Sequence, residues 1–159
     1  MNRGQREALK KHYSNTLSNY YTIVEDTKGK VNRYPPFDYN CMGYALGTFQ
    51  WEELDYFEEY WDDDIDEDAW DCVEELVEKW GCRLIESPFD NYANERVIAF
   101  RMSYDDFHFA RLNSDGVWTH KPGCREIREM SEEELFGDAW CPEREYPYVS
   151  EIYFLAVAA

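Results

Sequence analysis

Three residues of this 159-residue chain have types and neighbours suited to thiol chemistry: Cys41, His108 and His120. A cysteine is mostly protonated at neutral pH, so a nucleophilic one needs an adjacent base, a helix N-terminus, or both. Cys41 lies in the stretch Asn40-Cys41-Met42-Gly43-Tyr44-Ala45-Leu46-Gly47, just after the breaker Pro35-Pro36. Asn40 is a competent helix N-cap, because its side-chain oxygen can accept an amide hydrogen two or three residues on. That places Cys41 in the first turn, where amide groups and the helix dipole favour a thiolate over a thiol. Met42, Tyr44, Ala45 and Leu46 are apolar nearly all round, the composition of a helix buried on most sides. Gly43 and Gly47 permit close approach by neighbours or a helix end.

The base must come from the segment Asp106 to His120. If Asn113 to Gly116 forms a type I turn with Gly116 in the left-handed region, the segment is a hairpin with a three-residue loop and a glycine bulge. Leu112 then pairs with Trp118, and Ala110 with His120. Alternation puts His108, Ala110 and Leu112 on one face, and the pairing carries His120 to the same face. The two histidines become diagonal neighbours within side-chain reach, about 7 to 8 Å apart at the backbone. A loop one residue longer or shorter would put them on opposite faces. In this register His108 is the base for Cys41 and His120 fixes its tautomer. Asn40, Tyr39 or Tyr34 could join the Cys41 amide in stabilising an oxyanion. No metal or organic cofactor is needed for such chemistry.

The elements that would hold these residues follow from periodicity. A helix is expected over Asn2 to Tyr13, and a second helix or a short strand within Ser14 to Asp26, before a turn at Thr27 to Lys30. Prolines keep Arg33 to Tyr39 extended. From Asp66 to Trp80, Ala69, Trp70, Val73, Leu76, Val77 and Trp80 recur at helical spacing behind an acidic start, and Gly81 is placed to end the helix. Strands are expected at Cys82 to Glu86, Arg96 to Ser103, Asp106 to Asn113 and Val117 to Lys121. Ser131 to Phe136 opens with a capping-box pattern. Tyr148 to Val157 reads as one long central strand. Helices first and a mostly antiparallel sheet second make an α+β arrangement in a single domain over residues 1–159.

At this point the motifs resemble a known family. Asn40-Cys41-Met42-Gly43-Tyr44 is similar to the Asp-Cys-Ser-Gly-aromatic helix start of the NlpC-type branch of the papain-like cysteine peptidases. His108-Phe109-Ala110-Arg111-Leu112, the Asp115-Gly116 turn and Val117-Trp118-Thr119-His120 resemble that family's histidine strand, turn and second-histidine strand. The resemblance covers residues 34–124. It implies a papain-like α+β fold and a Cys-His-His triad of Cys41, His108 and His120 acting on amide or related acyl bonds of a peptide, protein or small substrate. Asn stands in place of Asp before the cysteine and Met in place of Ser after it, and the acidic segment after the helix is foreign to the pattern.

Composition limits the partners. Asp and Glu number 34 against 16 Lys and Arg, a formal charge of -18, which opposes direct binding to nucleic acid or an anionic membrane. Aromatic residues make up 18% of the chain, which argues for a folded protein. Residues 1–10 are polar, and no apolar run approaches the length of a spanning helix, so a cytoplasmic chain is expected. Of the five cysteines, Cys72, Cys82, Cys124 and Cys141 read as structural, and none forms a C-x-x-C pair. Spacing therefore offers no structural zinc site, although five Cys and three His make zinc conceivable. His12 has no constellation.

Each site residue also has a plainer role: Cys41 as a small buried hydrophobe, His108 as a core histidine, His120 as surface. Residues 52–78 hold fifteen carboxylates and no basic residue. Such a run usually solvates a face. The alternative function is an acidic, non-enzymatic binding protein that imitates nucleic acid or inhibits a basic protein partner.

Overall fold

The computed structural model describes residues 22–25, 31–34, 39–56, 64–122 and 126–158. Their elements, in chain order, are β1 (Thr22–Glu25), β2 (Val31–Tyr34), α1 (Cys41–Leu46), α2 (Ile65–Trp80), β3 (Arg83–Ile85), β4 (Glu95–Met102), β5 (Phe107–Leu112), β6 (Trp118–His120), β7 (Arg128–Met130), α3 (Glu132–Leu135) and β8 (Tyr153–Ala158). This is an α+β architecture. β1 and β2 pair with each other, so the choice left open within Ser14 to Asp26 falls to a strand at Thr22–Glu25. The helix expected over Asn2 to Tyr13 and the turn at Thr27 to Lys30 lie outside the described residues.

The six remaining strands form one antiparallel sheet in the order β3-β8-β4-β5-β6-β7. Alternation along β4, β5 and β8 supplies both of its faces. Ile98, Phe100, Met102, Phe107, Phe109, Leu155 and Val157 meet the buried faces of α1 and α2. Val97, Ala99, Ala110, Phe154 and Ala156 instead join Leu135, Trp140 and Tyr148 on the opposite side. The sheet is thus covered twice, by helices on one face and by the chain after β7 on the other.

α2 and α3 form where their caps stand. Asp64 accepts from the amides of Asp66 and Glu67 to start α2, and Gly81 ends it at φ 68°. Ser131 and Glu134 form the expected capping box on α3. Two expectations need correction. Arg128–Met130 adds a strand with only three residues and no alternation long enough to announce it. The long strand expected from Tyr148 begins only at Tyr153, because residues 148–150 are bonded elsewhere. Tyr148 bridges Trp140, the amides of Val149 and Ser150 donate to the Met102 carbonyl, and the Arg101 guanidinium donates to the Ser150 carbonyl at 2.6 Å. Among the described residues no helix is long and apolar enough to cross a membrane.

α1 is only six residues long, too short to be stable on its own. It is held by what surrounds it. The Asn40 oxygen accepts from Gly43 N at 3.0 Å and from Glu52 N at 3.2 Å, while its Nδ2 donates to the Glu52 carbonyl at 2.7 Å. One side chain therefore caps the helix and clasps the returning loop. At the other end Gly47 takes φ 81°, and Arg96 donates twice to the Ala45 carbonyl. The loop backbone at Gln50 passes so close to Gly43 that a Cβ there would collide with the Gln50 carbonyl. Replacing Gly43 by Ala is expected to cost on the order of 1 to 3 kcal/mol as the loop is forced off the helix. A urea unfolding midpoint unchanged from wild type would contradict this packing.

Candidate active site

The hairpin turn sets the register expected from the sequence. Gly116 adopts φ 79°, its amide donates to the Asn113 carbonyl at 2.9 Å, and Asn113 N donates to Val117 O at 3.1 Å. Ala110 faces His120 and Leu112 faces Trp118 across the β5–β6 ladder. The structure brings His108 and His120 together: Nε2 of His108 lies 2.9 Å from Nδ1 of His120, one nitrogen donating and the other accepting. The His108 ring stacks on Tyr148 with centroids 5.0 Å apart and meets the edge of Trp140. The chain between β7 and β8 thus walls in the histidine pair.

Cys41 approaches from a different direction. α1 packs on the Phe107/Phe109 face of the sheet, whereas the His108 ring belongs to the other face. Among the described residues, β6 pairs with β5 from Ala110 to Leu112, short of the start of β5 at Phe107. The Cys41 thiol occupies this place. Its S–H donates to the Phe107 carbonyl, with 3.9 Å between sulfur and oxygen, and it accepts from the Phe109 amide, so it touches the backbone on both sides of His108. No hydrogen bond joins the sulfur to either histidine ring.

Lys121 ties these parts together. Fully buried at the end of β6, it donates to the Tyr39 carbonyl at 2.7 Å and lies over the Tyr39 ring. That bond fastens the strand end carrying His120 to the residue before the Asn40 cap. Tyr44 adds a second tie, its hydroxyl 2.6 Å from Thr119 Oγ1. Among the oxyanion candidates, Asn40 spends its side chain on the cap and the loop. The Tyr39 ring is buried edge-on against Phe49, and the Tyr34 side chain lies outside the described residues.

Burial dominates the electrostatics. Desolvation, with help from the Asp106 charge, pushes the Cys41 thiol up to about 12, against the Phe109 and Met42 amides and Lys121, which pull it down. The helix-start thiolate expected from sequence is therefore overridden in the resting protein: at 7% exposure, the loss of water outweighs a one-turn dipole. Burial likewise holds His108 well below its ordinary value of 6.5, with His120 contributing, and lowers His120 to about 4. The resting pair is neutral, with one proton shared between the rings.

Sequence spacing missed one member of the cluster. Cys141 lies 21 residues beyond His120, yet the donor atoms of His108, His120 and Cys141 all fall within 4.8 Å of one another. Cys141 follows the Trp140–Tyr148 bridge, takes φ 51°, and borders an open cavity of about 710 Å³ that His120 also lines. No local motif announces it, because its position depends on that bridge. Cys72 and Cys82 are buried free thiols raised by desolvation, in keeping with structural roles; Cys124 and His12 lie outside the described residues.

Several of the acidic residues are structural as well. Glu75 accepts from the amides of Asp55 and Tyr56, Asp68 from the Tyr56 hydroxyl, and Asp66 from the Glu151 amide. Residues 57–63 of the acidic run lie outside the described set.

The chain belongs to the family described as Domain of unknown function (DUF7689), whose model matches residues 30–146. Comparison with curated proteins and with solved structures yields no match.

Both imidazoles bind protons more readily in the unfolded chain than in the fold. Their contribution to stability is present above about 6.5 and drains away as pH falls toward their folded values. For His120 the loss by pH 5 is on the order of 1 to 2 kcal/mol. The urea midpoint is expected to fall between pH 7 and pH 5, and to fall less in His120→Gln than in wild type. Equal falls in the two proteins would refute the buried neutral imidazole.

Proposed function

We propose that this DUF7689 domain is a cytoplasmic thiol hydrolase or acyl-transfer enzyme of the papain-like, NlpC-type class, acting on amide or related acyl bonds through Cys41, His108 and His120. The observation that carries the reading is the 2.9 Å contact between the two buried imidazoles, beside the strand edge that the Cys41 thiol touches. An imidazole that must take a proton from a thiol needs its other nitrogen held by a partner, and His120 is that partner. The free thiols of Cys41, Cys72, Cys82 and Cys141 suit a reducing compartment.

The resting thiol is protonated and the resting imidazole neutral, so the pair works by general base catalysis at the moment of attack. His108 donates from Nε2 to His120 Nδ1, which leaves the lone pair of His108 Nδ1 to accept a proton. Cys41 Sγ forms a bond to the substrate carbonyl carbon as its proton passes to His108. The imidazolium then protonates the leaving amine or alcohol, the carbon–heteroatom bond breaks, and the acyl group stays on sulfur. Water or an amine, deprotonated by His108, attacks the thioester carbon, the carbon–sulfur bond breaks, and the imidazolium returns the proton to sulfur. The buried Lys121 charge favours the thiolate character that develops on sulfur, in the direction in which it already pulls the thiol. The backbone amide of Cys41, opening the helix, is the oxyanion donor in this scheme.

The test uses p-nitrophenyl acetate as an activated acyl donor. A stoichiometric burst of p-nitrophenol, about one per chain, is expected, with loss of the burst in Cys41→Ala and slowing by about a hundredfold or more in His108→Ala. His120→Asn should slow it less, because the partner positions the base without touching the acyl group. A burst that survives Cys41→Ala, or no burst from the folded wild-type chain, would overturn the assignment.

A further inference from the structure

The third group at the histidine pair is not used by this chemistry. Cys141 brings a thiol to within 4.8 Å of both imidazole donors, from a loop separate from β5 and β6. Backbone bonds hold it in place. The Trp140 and Tyr148 backbones exchange hydrogen bonds of 3.0 and 3.1 Å across the loop, and the Arg144 amide donates to the Cys141 carbonyl at 3.0 Å. Two neutral imidazoles and one thiolate form a borderline-soft donor set of the kind that zinc takes with three protein ligands and one open position. The cavity bordered by His120, Trp140, Cys141 and Glu143 provides room for that fourth position.

We propose that His108, His120 and Cys141 form a binding site for a divalent ion of the zinc class, and that its occupation switches off the thiol chemistry of Cys41. On binding, Cys141 releases its S–H proton to solvent. His108 Nε2 and His120 Nδ1 turn their lone pairs to the ion in place of the hydrogen bond between them, each ring keeping one proton on its other nitrogen. His108 then carries that proton on Nδ1, the position that must be vacant to accept the proton of Cys41. An ion at this site and a working base at His108 exclude each other. The inhibitory half rests on the proposed hydrolase, whereas the site itself does not.

Co²⁺ serves as the probe for the site in the full chain. One equivalent is expected to produce thiolate-to-cobalt charge-transfer absorption in the near ultraviolet with intense visible d–d bands. Cys141→Ser should lose the charge-transfer band, as should Cys141→Gly, which suits the left-handed backbone and guards against a folding defect; Cys41→Ser should retain it. Absence of the band in wild type, its persistence in both Cys141 variants, or its loss in Cys41→Ser would overturn the site. Zn²⁺ is then expected to suppress the p-nitrophenyl acetate burst of wild type, and this zinc sensitivity should disappear in Cys141→Ser. A burst indifferent to Zn²⁺ in protein that shows the cobalt spectrum would overturn the inhibition. A metal-free chain with no burst would overturn both the hydrolase and its inhibition, with the cobalt spectrum still deciding the site.

Discussion

One residue of register in the β5–β6 hairpin underlies everything at this site. Side chains alternate across a strand, so a loop longer or shorter by one would carry His120 to the helix-covered face and leave His108 alone in an apolar pocket. The chain prevents this with Gly116 in the left-handed region and with Asp115, whose carboxylate accepts from the Val117 amide. Asn113 reinforces the turn from the side, its Nδ2 donating to the Val117 carbonyl and to Thr119 Oγ1. Thr119 in turn meets Tyr44 of α1. The same bonds that pair the histidines also reach the helix that carries the thiol.

The second constraint is water exclusion. Cys41, His108 and His120 all sit below a tenth exposure, and desolvation is the largest influence on each. In such surroundings charge separation is costly, so the groups rest neutral. Lys121 is the exception, a fully buried amine supported by the Tyr39 carbonyl and ring. Placing that cation between the end of β6 and the start of α1 gives the sulfur one charge that pulls its thiol down against burial. The same dryness prepares His108 and His120 as neutral nitrogen donors beside Cys141.

The parts that were legible in the sequence are those governed by local rules. α2 follows from apolar spacing, an acidic first turn and Gly81; α3 follows from its capping box; the Asn40 cap and the hairpin register follow from side-chain and turn chemistry. Illegible parts depend on distant partners. The β7 strand exists because Trp118 to His120 offer it an edge, and the start of β8 is displaced because Met102 and Arg101 capture residues 148–150. Cys141 joins the histidines through the Trp140–Tyr148 bridge, a pairing with no periodic signal on either side.

By itself, the sequence determined that Cys41 opens a helix and that His108 and His120 share a face, because caps and turns act over a few residues and alternation has a period of two. Only the tertiary structure decided on which side of the sheet that helix lies, since this depends on how Phe107 and Phe109 are buried against α1 and α2. It also decided the protonation of the site. Electrostatic influence depends on depth below the surface, and a cysteine that reads as an activated helix-start thiolate becomes, once buried, a neutral thiol at the edge of β5.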